Sequence, residues 1–116
     1  FAGPGRSRLD NGKIIHGSPV LALSQPPAFE RYFFVDMKDA HIVALKQRCQ
    51  SFGQRTERVH YFVGDANQVV DEICAVIRQK DSRYIQDVWP SLNLAFLDPE
   101  GLELHWETVA KLAAFR

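Results

Sequence analysis

Three short apolar runs, each followed within two residues by an aspartate, constrain this chain more than any other feature. Tyr32-Phe33-Phe34-Val35 leads to Asp36, residues 59–63 lead to Gly64 and Asp65, and residues 92–97 lead to Asp98. The continuous run 32–35 suits a strand covered on both faces, and strands are expected over 31–35, 59–63 and 92–97. Helical patterns separate them. Ile42, Leu45, Cys49 and Phe52 recur at helical spacing, with Asp39 as a candidate cap and Gly53 as a stop. Val69, Val70, Ile73, Cys74 and Ile77 form a second apolar face, with Asp71, Glu72, Arg78 and Lys80 opposite.

A shorter helix is expected earlier, with Ser18 as N-cap, Pro19 at its first position and Pro26-Pro27 ending it. A last helix starts near Trp106 and carries Val109, Leu112, Ala113 and Phe115. Residues 6–15 read as a polar link around an Asp10-Asn11-Gly12 turn, and residues 81–91 as a loop holding Trp89 against the core. Alternation of this kind favours an α/β fold, a Rossmann-like doubly wound parallel sheet with right-handed crossovers, in one domain over residues 1–116.

Charge and cysteine content narrow the classes of function. Fourteen basic residues balance fourteen acidic ones, so no net field draws the chain to nucleic acid or membrane, and such contacts need a local patch. Cys49 and Cys74 fall inside helical patterns and read as reduced core thiols in a cytoplasmic protein. No apolar run reaches the length of a membrane span. The four histidines and two cysteines lack metal-ligand spacing, and no Gly-x-Ser-x-Gly elbow supplies a hydrolytic nucleophile.

The residues that carry chemistry sit at the ends of the expected strands. Phe1-Ala2-Gly3-Pro4-Gly5 is a Gly-x-Gly turn, which lets backbone approach a ligand that a Cβ would push away. In doubly wound sheets such turns lie at the carboxyl ends of strands, where cofactors bind. Asp36 can accept the hydroxyls of a ribose, or can equally initiate the turn into its helix. Asp65 can accept from the exocyclic amine of an adenine with Ala66 leaving room for the ring, while Asp65 or Asn67 can also simply cap the next helix. Asp98-Pro99-Glu100-Gly101 places a carboxylate where a proline fixes the departing backbone. Such a group can orient or deprotonate a nucleophile. Arg6, Arg8 and Lys13 form a basic cluster beside the opening turn, either as solvated loop charges or as contacts to a phosphate or carboxylate.

With these residues in view, the chain resembles the class I S-adenosylmethionine-dependent methyltransferases, and more closely the three-Cys-motif partner protein family. FAGPGRSR, GSPVLAL, FFVDMKDAHIVALKQR, GDAN and LAFLDPEGLELHWETVAKLA carry the resemblance over nearly the whole length. It implies a sheet of the methyltransferase type with S-adenosylmethionine held at Phe1, Ala2, Gly3 and Gly5. It further implies a ribose contact at Asp36 beside Met37, and an adenine contact at Asp65 beside Ala66. Asp98 and Pro99 match the catalytic Asp-Pro-Pro-aromatic motif of enzymes that methylate amino groups of nucleic acid bases, and a cysteine-motif partner protein is implied by the family.

The chain begins directly on its turn and stops inside a helical pattern. It is therefore expected to be a fragment lacking the first strand and the C-terminal part, which would bind S-adenosylmethionine weakly by itself. The function expected first is a methyltransferase acting on nucleic acid. A non-catalytic binding module of the same fold is the alternative, favoured by Glu100-Gly101 where the motif has a second proline and an aromatic. A NAD-dependent oxidoreductase comes third, since the third glycine of the dinucleotide fingerprint is absent.

Overall fold

A computed structural model describes residues 2–78, 93–99 and 103–114. The chain divides into two compact units, Phe1–Asp65 and Ala66–Arg116. In order, the first unit contains β1 (Arg6–Arg8), β2 (Ile14–His16), α1 (Ser18–Ser24), β3 (Tyr32–Asp36), α2 (Asp39–Cys49), a 3-10 stretch (Gln50–Arg58) and β4 (Val59–Val63). The second contains α3 (Ala66–Arg78) and α4 (Trp106–Ala113). The described residues thus form a mixed α/β structure with two separate two-stranded sheets.

β3 and β4 pair in parallel, from Tyr32 opposite Val59 to Asp36 opposite Val63, and the Gly64 N–H extends the ladder to the Asp36 carbonyl at 3.0 Å. The connection between them runs through α2 and the 3-10 stretch, as a parallel pair requires. Along β3, burial alternates: Tyr32, Phe34 and Asp36 are buried, and Phe33 and Val35 half-buried. Val20 and Leu23 of α1, Tyr32 and Phe34 of β3, and Leu45 and Cys49 of α2 make the core of this unit. Leu45 and Cys49 lie on the apolar stripe read from the sequence. At the end of α2 the chain turns at Gly53, whose φ of 58° breaks the helical path.

The expected polar link before α1 is instead a hairpin. β1 and β2 pair antiparallel, Arg6 opposite His16 and Arg8 opposite Ile14, although every residue of both strands is exposed. Backbone bonds rather than burial define it. Leu9 N–H to Lys13 O (2.8 Å), Gly12 N–H to Leu9 O (2.8 Å) and Lys13 N–H to Asn11 Oδ1 (3.0 Å) close the tip, and Gly17 N–H to Gly5 O (2.8 Å) closes the base. A three-residue loop built on a type I turn is a common way to join such strands, and the Asp10-Asn11-Gly12 signal marks it.

Two caps also differ. α1 is preceded by Gly17, with Ser18 already helical, and α2 by Lys38, with Asp39 its first residue; neither start has a side-chain cap bond. The third expected strand, 92–97, does not form over its described part: residues 93–99 belong to no strand. Leu94 and Phe96 are 77% and 72% exposed there. Apolar composition alone does not decide whether a segment pairs into a sheet. Trp89, Glu100, Gly101 and Phe115 lie outside the described residues.

In the second unit, α3 buries Val69, Val70 and Cys74, and α4 buries Thr108. Asn67 ties the two helices. Its amide donates to Glu103 O (2.9 Å) and accepts from His105 N–H (2.9 Å) and Thr108 Oγ1 (2.7 Å). A residue read as a cap for its own helix therefore serves the start of α4. Asn67→Ala is expected to destabilise this unit by about 1–2 kcal/mol, given roughly 0.5–1.5 kcal/mol for each net hydrogen bond and the partial exposure of this site. Faster amide exchange along α4 would report it. Unchanged exchange would show that the α4 start is held by other contacts.

Candidate functional site

The opening turn, the end of β3 and the end of β4 come together within the first unit, and Asp36 joins them. Side chains alternate along a strand, so Asp36 faces the same way as Tyr32 and Phe34 and is only 2% exposed. A buried carboxylate needs donors. Gly3 N–H donates to Oδ2 (2.8 Å), Lys38 N–H donates to Oδ1 (2.8 Å), and His41 Nδ1 lies 3.2 Å from Oδ1. The Ala2 N–H bonds the Val35 carbonyl at 2.7 Å, so the turn runs beside the tip of β3. Lys38 and His41 flank the start of α2, where a negative charge is also favoured by the helix dipole.

Burial alone would raise the Asp36 carboxyl, but the bonds from Lys38 N–H and Gly3 N–H, together with His41, outweigh it and hold the group below its ordinary value of 3.8. The residue is ionised at neutral pH and its charge is answered from within the protein.

The two glycines of the turn differ in surroundings. Gly3 has φ of 65° and open space where a Cβ would stand. Gly5 has φ of 80°, and a Cβ there would come within 2.8 Å of Leu45 Cδ1 and 2.9 Å of Val20 Cγ2. One glycine therefore faces open space and the other seats the turn on the core. Arg48 of α2 donates from Nη1 to the Pro4 carbonyl, fixing the turn from the other side.

Gly64 bonds Asp36 through its backbone, which sets Asp65 at the neighbouring strand end. Met37 is exposed beside Asp36, and Ala66 opens α3. Gly3, Gly5, Asp36, Met37 and Asp65 thus share the carboxyl edge of β3 and β4. Asp98 and Pro99 lie in the second unit, on the exposed segment 93–99, and Phe1 lies outside the described residues.

His41 was not singled out for this site by its sequence position on a helix. The available signal was the alternation of Tyr32 and Phe34, which carried one step further buries Asp36 and calls for donors from the helix that follows. His60 stacks on Phe33, ring centroids 5.1 Å apart. Both cysteines are free and buried. Burial pushes the Cys49 thiol up despite its bond with Tyr61, and burial with the Cys49 contact pushes the Tyr61 phenol up, so neither is primed as a nucleophile. No helix among the described residues is long and apolar enough to cross a membrane.

A groove of about 230 Å³ adjoins the turn, lined by Arg6, Ser7, Arg8, Ile14 and Arg48. Comparison with family models, with curated proteins and with solved structures yields no match for this chain.

Proposed function

We propose that this chain is a methyltransferase-type domain that binds S-adenosylmethionine and acts on nucleic acid, working with a cysteine-motif partner protein. The observation that carries the reading is the bond between Gly3 N–H and the buried Asp36 carboxylate at the carboxyl end of parallel strand β3, the edge where α/β proteins bind nucleosides. The residues there suit such a cofactor in part. Gly3 offers backbone with open space beside it, and Asp65 offers an acceptor at the adjacent strand end. Asp36 acts first as the clamp on the turn. Its carboxylate has roughly four lone-pair positions, and Gly3, Lys38 and His41 engage three of them; at 2% exposure, the fourth is reached by a ribose hydroxyl only when the opening turn moves.

When bound, the cofactor supplies an electrophilic methyl group. In this reading the chain's own residues orient the acceptor, with Asp98 as the carboxylate that aligns the nucleophile or takes its proton and Pro99 fixing the backbone that carries it.

The internal satisfaction of Asp36 also favours a second reading, a non-catalytic module that keeps the shape of the fold. Saturation-transfer NMR with S-adenosylmethionine separates the possibilities, because it detects weak ligands. The expected result is transfer to the adenine and ribose protons, reduced by Asp65→Ala. Absence of transfer in the wild-type chain would overturn the cofactor assignment. Where transfer is seen, labelled-methyl incorporation into an oligonucleotide, lost in Asp98→Ala, supports the enzyme; equal incorporation by both removes Asp98 from the reaction. Cofactor contact without incorporation favours the module.

A further inference from the structure

The β1–β2 hairpin presents an arrangement that its fold does not require. Side chains alternate along each strand, and in the observed register Arg6 and Arg8 share one face with Ile14 and His16. Arg48 reaches the same groove from α2. Arg6 and Arg8 are exposed, and among the described residues neither has a carboxylate partner. Three guanidinium groups therefore line one groove without an acidic residue in its wall.

The unit that contains the groove is also the basic one. Residues 1–65 hold nine Lys and Arg against six Asp and Glu, whereas residues 66–116 hold five against eight. The neutral total conceals this division.

From these observations we infer that the hairpin groove is a phosphate-binding site for a polynucleotide strand. Guanidinium groups bind phosphate oxygens in pairs through parallel N–H bonds. Arg6 and Arg8 stand about 7 Å apart along β1, so each can take its own phosphate. Exposed Ile14 adds apolar surface to the lining. Such contacts position a strand and carry no base specificity. The site also adjoins the candidate cofactor edge: β1 begins directly after Gly5, and Arg48 holds the Pro4 carbonyl while lining the groove. A strand held there is anchored beside the turn.

This inference rests on nucleic acid being the acceptor in the proposed function, but its test needs no cofactor. Fluorescence anisotropy of a labelled, mixed-sequence single-stranded oligonucleotide is measured against the whole chain over a range of salt. The double variant Arg6→Gln with Arg8→Gln is expected to bind at least about tenfold more weakly, with the salt slope reduced by about 1.4, near 0.7 for each phosphate that is no longer neutralised. Lys13→Gln removes a positive charge from the hairpin tip, outside the groove lining, and is expected to change affinity less than about twofold. Both sites are exposed, and a circular dichroism melt checks that the variants stay folded. No binding by the wild-type chain would overturn the inference. So would equal weakening by the Lys13 variant, or a mononucleotide phosphate binding as tightly as the strand. Strand binding without methyl transfer would leave this site standing and remove the enzyme, whereas methyl transfer without strand binding would do the reverse.

Discussion

Gly5→Ala is expected to destabilise the protein by about 3 kcal/mol, which unfolds a marginal domain. Two effects add. A φ of 80° is a left-handed conformation that costs a residue with a Cβ roughly 1–2 kcal/mol. The new methyl would also stand 2.8 Å from Leu45 Cδ1 and 2.9 Å from Val20 Cγ2. Side-chain tips can often move aside, but Leu45 and Val20 belong to the buried core, where overpacking costs roughly 1–3 kcal/mol. Gly3→Ala is the internal comparison. It has a similar backbone angle and nothing within 4 Å of the added atom, so only the conformational part applies, about 1 kcal/mol. Urea denaturation of the two variants measures the difference. Equal losses would show that the core around Leu45 yields to the methyl.

Removing the Asp36 carboxylate should be comparably severe. Asp36→Ala deletes the acceptor for Gly3 N–H, Lys38 N–H and His41, and hydrogen bonds to a charged group contribute roughly 1.5–3 kcal/mol each. These donors are partly buried, so water recovers some of the loss and about 3 kcal/mol remains. The effect has a defined pH dependence. Burial opposes ionisation, but the Lys38, Gly3 and His41 contacts lower the carboxyl below 3.8. A group whose pKa is depressed on folding stabilises above its unfolded value, and that contribution disappears as pH falls through the folded-state value. Melting temperatures of wild type and Asp36→Asn should therefore stay apart at neutral pH and converge below 3.8. A gap that persists undiminished in acid would mean that the side chain acts by shape rather than by charge.

The sequence made β3 and β4 legible as short apolar runs, and α2, α3 and α4 because their apolar residues recur with the helical period. The hairpin left no such trace. Its residues are exposed, and backbone pairing with the Gly5–Gly17 contact has no hydrophobic signature beyond the turn at its tip. Segment 93–99 failed in the opposite sense, since Leu94, Phe96 and Leu97 have the composition of a buried strand while standing exposed. At the site, the proximity of Gly3, Asp36 and Gly64-Asp65 followed from their places at strand ends. The burial of Asp36 did not, because an acidic residue after a strand reads as a surface group unless the alternation of Tyr32 and Phe34 is carried through it.

The carboxylate at the tip of β3 gives the opening loop an exchange reaction. Under the proposed reading one lone pair of Asp36 is left for a sugar hydroxyl, and a vicinal diol must displace a donor already in place. Gly3 N–H is the donor carried by the loop itself. Under the proposed cofactor reading, a nucleoside held through both hydroxyls would displace the Gly3 N–H and free the opening turn from the tip of β3.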